Sequence, residues 1–84
     1  MYAIEFTRSA VKALATVPPP TRALLLGRLD TLSADPFRMT GVKKLVGVQG
    51  YRLRLGDWRV IFDIERDRLV IRVLKIGTRG KVYT

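Results

Sequence analysis

The twelve residues YRLRLGDWRVIF, 51–62, decide the fold. Tyr51, Leu53 and Leu55 alternate with Arg52 and Arg54. Gly56-Asp57 follows, and then Trp58, Val60 and Phe62 alternate with Arg59 and Ile61. Period-two alternation marks strands with one buried face, and Gly-Asp suits a two-residue hairpin turn. That turn sets the register: Leu55 opposes Trp58, Arg54 opposes Arg59, and Leu53 opposes Val60. Opposed residues share a face, and alternation adds Arg52 to it. Tyr51, Leu53, Leu55, Trp58, Val60, Phe62 and Ile64 therefore point inward. Arg52, Arg54 and Arg59 gather on the open face.

Outward from this hairpin, Tyr2, Ile4 and Phe6 alternate with Ala3 and Glu5 and predict a first strand. Thr7 is placed to cap a helix running from Arg8 to about Val17, with Val11, Leu14 and Ala15 as its apolar stripe. Pro18-Pro19-Pro20 stops it, and Pro20 or Thr21 opens a second helix. Leu25, Leu29 and Leu32 recur there at helical spacing, widened by Leu24 and Leu26. Asp35-Pro36 ends it, because a residue before proline avoids the helical region. Residues 35–50 read as a loop punctuated by glycines and charged by Lys43-Lys44. Strands are expected at about 51–55, 58–65 and 68 to 75 or 76. Arg66-Asp67 is a poorer two-residue turn than Gly56-Asp57. Residues 77–81 form a glycine-punctuated turn, and Val82-Tyr83 is expected as a last short strand. The order implies an α+β domain over residues 1–84. Its N-terminal strand and helical hairpin pack on one face of a mainly antiparallel sheet of four to five strands.

Composition narrows the chemistry. The chain of 84 residues contains no cysteine and no histidine. Thiolate and imidazole metal sites and Ser-His or Cys-His nucleophile pairs are thereby excluded. No metal or organic cofactor is indicated. Sixteen Lys and Arg stand against seven Asp and Glu, a net charge of +9, and the excess sits mainly after residue 42. Such a field favours polyanions. Residues 1–7 hold neither an apolar signal core nor a cleavage site, and no apolar run approaches the ~20 residues of a bilayer span. The expected location is the cytoplasm, without a membrane partner.

Like charges opposed across a strand pair cost a few tenths to ~1 kcal/mol. Asp63 and Glu65 share the face with the arginines but lie further along the strand, and Asp57 neighbours them in the turn. An anion-binding role accounts for the cluster, since the guanidinium fork matches phosphate bidentately. After the third strand, Arg79, Lys81 and Tyr83 return beside it through a turn that Gly77 and Gly80 make tight. A tyrosine there can stack on a base. Lys43, Lys44, Arg72, Lys75 and Lys81 are the further candidates for phosphate contacts.

The run from Tyr51 to Phe62, followed by Val73-Leu74-Lys75-Ile76-Gly77-Thr78-Arg79 and Val82-Tyr83, resembles the RelE/ParE superfamily of toxin–antitoxin toxins. The likeness extends over nearly the whole chain, through the proline-broken helical hairpin, Asp35-Pro36 and Lys43-Lys44-Leu45. It implies a RelE-like toxin that enters the ribosomal A site and cuts messenger RNA. In that reaction the ribose 2′-hydroxyl attacks the adjacent phosphate. Carried over by position, the catalytic group would be Arg52, Arg54, Arg59, Arg79 and Tyr83. The chain departs from the pattern in having Arg52 and Arg54 where many relatives place lysine, histidine or glutamate, and Thr78 where histidine is frequent. Arginine does not deprotonate, so either Tyr83, Asp57 or ribosomal RNA would have to assist, or proton transfer contributes little. Two alternatives follow from the same resemblance: a ParE-like toxin that inhibits DNA gyrase, and a weakened toxin that acts only with its antitoxin in operon regulation. All three imply a cognate antitoxin that wraps the domain, with operator DNA contacted only through that antitoxin.

Overall fold

The computed structural model describes residues 1–82; Tyr83 and Thr84 lie outside the described residues. The chain runs through β1 (Ala3–Phe6), α1 (Arg8–Thr16), α2 (Pro19–Ala34), β2 (Val42–Lys44), β3 (Tyr51–Leu55), β4 (Trp58–Glu65) and β5 (Val70–Thr78). The five strands form one sheet in the order β1-β5-β4-β3-β2. Both helices pack against one face of it. β2 to β5 pair antiparallel, whereas β1 runs parallel to β5. The helical hairpin joins the two edge strands, β1 and β2, and the meander from β2 to β5 brings the chain back beside β1.

The hairpin register is the one the sequence dictates: Leu55 opposite Trp58, Arg54 opposite Arg59, Leu53 opposite Val60. Phe62, Leu53, Val60, Ile71 and Val73 are fully buried from the sheet side, against Leu25 and Leu32 of α2 and Val17 after α1. Tyr51 stacks on Phe62 with ring centroids 5.6 Å apart. Burying one such aromatic or branched side chain stabilises the fold by about 1.5–3 kcal/mol.

Helix α1 packs through Ala10, Ala13, Leu14 and Val17, the i, i+3, i+4, i+7 set; Val11 and Ala15 face solvent instead of lining the core. The reason is the cap. Thr7 accepts the Ala10 N–H at 3.1 Å, and this fixes the helix rotation with Ala10 against the sheet. Helix α2 buries Leu25, Leu29 and Leu32 as expected, but Leu24 and Leu26 flank that stripe by about one residue of rotation and are exposed. The helix begins at Pro19, one residue before the predicted start, with prolines in its first turn. Asp35 terminates it in extended conformation, with its carboxylate accepting the Phe37 N–H.

Residues 35–50 are not wholly a loop. Val42–Lys44 forms an edge strand on β3. Three residues, two of them lysines, carry too little periodicity to register as a strand, and charge is what blunts an exposed edge. The β4–β5 connection spans residues 66–69, with Leu69 in the left-handed region at φ 53°. β5 accordingly begins at Val70 rather than at Arg68, and it continues to Thr78.

β4 keeps strict alternation, but β5 does not. Phe62 pairs with Val73 and Ile61 with Lys75, so one step on β4 matches two on β5. Leu74 is the extra residue of a β-bulge. Ile71, Val73 and Ile76 face the helices; without the bulge Lys75 would face them in place of Ile76. The Thr7 hydroxyl donates to the Leu74 carbonyl at 2.8 Å, so one side chain both caps α1 and pins the bulge.

Thr7→Ala should lower unfolding stability by about 0.5–2 kcal/mol, the range for losing a capping hydroxyl, while Thr7→Ser should stay within about 0.5 kcal/mol of the parent. Urea denaturation checks both. Equal losses for the two would show that the hydroxyl is not the stabilising group.

Candidate nucleic-acid interface

The sheet face away from the helices is organised in rows, because directly paired residues share a face. One row reads Lys43, Arg52, Ile61, Lys75 across β2, β3, β4 and β5. The next, towards the hairpin tip, reads Arg54, Arg59, Gly77. In the opposite direction lies Asp63, Arg72, Glu5. Neighbouring strands stand about 4.8 Å apart, so Lys43 and Arg52, and likewise Arg54 and Arg59, are offset by roughly one strand spacing.

The two ends of this face are electrostatically different. At the β1 end Arg72 pairs with Glu65 and with Glu5 at 3.9 Å, and Arg68 pairs with Glu65 at 2.9 Å and Glu5 at 3.8 Å. Asp63 accepts from Gln49 and from the Ile64 N–H. The acidic residues of the face are thus used where they stand. Among the described residues, Arg52, Arg54, Arg59 and Arg79 form no ion pair. Arg72, one of the candidate phosphate contacts, belongs to the compensated end, apart from the arginine cluster.

Arg59 is 8% exposed, and its guanidinium folds back on its own turn. Its Nη1 donates to the Gly56 carbonyl at 2.7 Å and the Trp58 carbonyl at 3.1 Å. A buried cation without a counter-charge is costly unless hydrogen-bonded, and these two carbonyls offset only part of that cost. Arg52 is half-buried, and its Nε is enclosed without an acceptor. Arg54 is exposed, and its backbone N–H is held by the Gly41 carbonyl at 3.0 Å.

The chain after β5 closes over this end. The Arg79 N–H donates to the Asp57 carbonyl at 2.8 Å, so the tail is fastened to the hairpin tip. The Lys81 and Val82 N–H groups donate to the Thr78 carbonyl, with Gly80 turning the backbone at φ +89°. Val82 folds back onto the sheet and is buried; a Cβ on Gly77 would stand 3.3 Å from the Val82 Cβ. Val82 sits in this turn rather than in a strand. Arg79 and Lys81 are exposed beside the arginine rows, Lys44 lies on the outer edge strand, and Tyr83 lies outside the described residues. Among the described residues, no three acidic side chains converge as metal ligands.

Two residues escaped the sequence reading. Ile61, apolar, stands in the middle of the cation row, and Gln49 reaches the face from the β2–β3 loop.

This fold coincides with that of a defined class of bacterial and archaeal toxins. Residues 4–83 match the family of the ParE toxin of type II toxin–antitoxin system, parDE. A chain of the archaeal RelE–RelB complex from Pyrococcus horikoshii OT3 superposes with a TM-score of 0.82 at 34% identity, covering 95% of this chain and 97% of that one. The toxin–antitoxin complex RelBE2 of Mycobacterium tuberculosis gives 0.80 at 26% identity, covering 93% and 98%. The intact E. coli RelBE complex gives 0.83 at 20% identity over 96% and 100%, a likeness of fold. Among curated proteins, none matches the sequence. The chain belongs to the RelE/ParE superfamily and is a toxin of a type II toxin–antitoxin system.

Arg54→Ala should flatten the dependence of log K on log salt for a single-stranded RNA oligonucleotide by about 0.7, one phosphate contact. Arg72→Ala should leave that slope unchanged, because Glu5 and Glu65 already neutralise it. Fluorescence anisotropy across a salt series reads both. Equal losses of slope would place the RNA across the whole face instead of its basic end.

Proposed function

We propose that the protein cleaves messenger RNA in the ribosomal A site, with Arg52, Arg54, Arg59 and Arg79 acting on the scissile phosphate and Tyr83 on the neighbouring base. The observation that carries this reading is the group Arg52, Arg54 and Arg59 on one sheet face, none of them in an ion pair among the described residues, with Arg59 buried on backbone carbonyls. The identity with an archaeal RelE complex supports the RelE branch. In the proposed step the 2′-oxygen forms a bond to phosphorus and the bond from phosphorus to the 5′-oxygen breaks. The products are a 2′,3′-cyclic phosphate and a 5′-hydroxyl. Charge develops on the phosphorane oxygens, where prepositioned guanidinium groups lower the barrier; removing one such donor typically costs about 10²–10³ in rate. Arg59, braced on Gly56 and Trp58, also holds the hairpin that carries Arg54.

Protons move from the 2′-hydroxyl and to the 5′-oxygen. No arginine accepts one. Asp57 at the hairpin tip, Tyr83, or ribosomal RNA fills that role in this reading.

The partner would be a RelB-like antitoxin, as in the complexes of the relatives. Exposed Val11, Leu24 and Leu26 on the helical hairpin supply apolar surface for it, and the basic face supplies charge. Operator DNA would be reached through the antitoxin. Among the described residues, no helix is long and apolar enough to cross a membrane, and the proposed site of action is the cytoplasm. The match to a family described as ParE toxin favours gyrase inhibition as the second reading, which needs no proton acceptor.

Primer extension on messenger RNA with purified 70S ribosomes tests the proposal. New 5′ ends at A-site codons are expected only when ribosomes are present, and Arg79→Ala should reduce them by about 10²-fold or more while antitoxin still binds. Absence of cleavage together with inhibited gyrase supercoiling would replace this reading with the second.

A further inference from the structure

Beside the cation row lies a cavity of about 240 Å³ on the open face. Ile61, Leu74 and Val82 form its floor, and Leu45 and Val48 of the β2–β3 loop form a wall. Gln49 and Lys75 complete its rim. Its existence follows from the bulge, which turns Leu74 and Lys75 both onto this face, and from Gly77, which lets Val82 fold back. An apolar hollow within a strongly basic face calls for a ligand that is flat and apolar in one part and anionic in another.

We propose that this cavity binds a nucleobase of the RNA strand whose phosphates lie on Lys43 and Arg52. The proposal rests on the RNA reading given above and adds a subsite to it. Three observations carry it. First, Ile61 stands directly between Arg52 and Lys75 in one row, so the cavity is one strand spacing, about 4.8 Å, from the Arg52 position. Second, charge orients the nucleotide: the Asp63 carboxylate, in no ion pair among the described residues, lies beyond the cavity and repels a phosphate, whereas Arg52 and Arg54 attract it. The base therefore points towards Asp63 and the phosphate towards the arginines. Third, the rim carries an oriented amide. Gln49 Nε2 donates to Asp63 Oδ2 at 3.2 Å, while Asp63 Oδ1 is fixed by the Ile64 N–H at 2.9 Å. The Gln49 carbonyl oxygen and its second N–H are left to pair with a base edge, the arrangement by which glutamine reads adenine. An aliphatic side chain of a protein partner would fill the floor but leave that amide without use. The volume lies below the roughly 300–1,000 Å³ of pockets for drug-sized ligands and suits a single ring system.

The test is a titration of ¹⁵N-labelled protein with the four nucleoside 5′-monophosphates and with ribose 5-phosphate, followed by amide spectra. All five should shift Arg52 and Arg54. Only the nucleotides should shift Gln49, Ile61 and Leu74, with unequal affinities among the bases. Gln49→Ala should weaken the preferred nucleotide by about tenfold and leave the shifts at Arg52 and Arg54 in place. Nucleotides that behave like ribose 5-phosphate would overturn the pocket and leave the RNA reading standing. Shifts at neither group would overturn both. Shifts at the cavity only with an aliphatic antitoxin peptide would assign it to the protein partner and overturn the proposal.

Discussion

One irregularity organises the functional face. Strand β4 alternates without interruption, while β5 gains one residue opposite the step from Ile61 to Phe62. A bulge re-aims the side chains on either side of it. Here it keeps Ile71, Val73 and Ile76 in the core and sends Lys75 outward into the row of Arg52 and Lys43. The Thr7 hydroxyl holds the bulge through the Leu74 carbonyl and, as acceptor, starts α1. The parallel β1–β5 pairing, the rotation of the helical hairpin and the composition of the open face therefore meet at one threonine.

The second constraint is electrostatic. Two carboxylates, Glu5 and Glu65, are held at the β1 end in a network with Arg68 and Arg72. Pairs of this kind at a half-exposed surface are worth about 1 kcal/mol or less each. Their larger consequence is spatial, since at the hairpin end of the same face Arg52, Arg54 and Arg59 form no ion pair among the described residues. Arg59 shows this most plainly, buried with two backbone carbonyls as its partners. A fold that tolerates such a residue is less stable than one with an apolar isostere, and it is prepared for an external anion. That preparation is the physical basis of the proposed action on RNA.

Much of this was legible in the chain. Tyr51 to Phe62 fixed the β3–β4 register because a two-residue Gly-Asp turn leaves one way to pair the strands, and Arg54 opposite Arg59 follows from it. The prolines at 18–20 and 36 bounded the helices for covalent reasons. What was not legible depended on partners distant in sequence. β2 is a strand only because β3 offers it an edge. The exposed positions of Val11, Leu24 and Leu26 follow from the rotation of each helix, which its cap and the sheet decide. The bulge left a trace, since Val73 and Leu74 are adjacent apolar residues before Ile76 and break the period of two. The trace cannot say which strand holds the extra residue. Gln49 carried no signal, because its role arises from Asp63, fourteen positions away.

The central claim is that the basic end of the open sheet face is the surface that meets the target. Hydrogen–deuterium exchange of the toxin, free and bound to 70S ribosomes, tests it most directly. The account predicts that binding slows exchange in residues 51–61 and 75–82 and leaves most of α1 and α2 unchanged. Slowing confined to the helical hairpin, with the arginine-bearing strands exchanging as in the free protein, would contradict it.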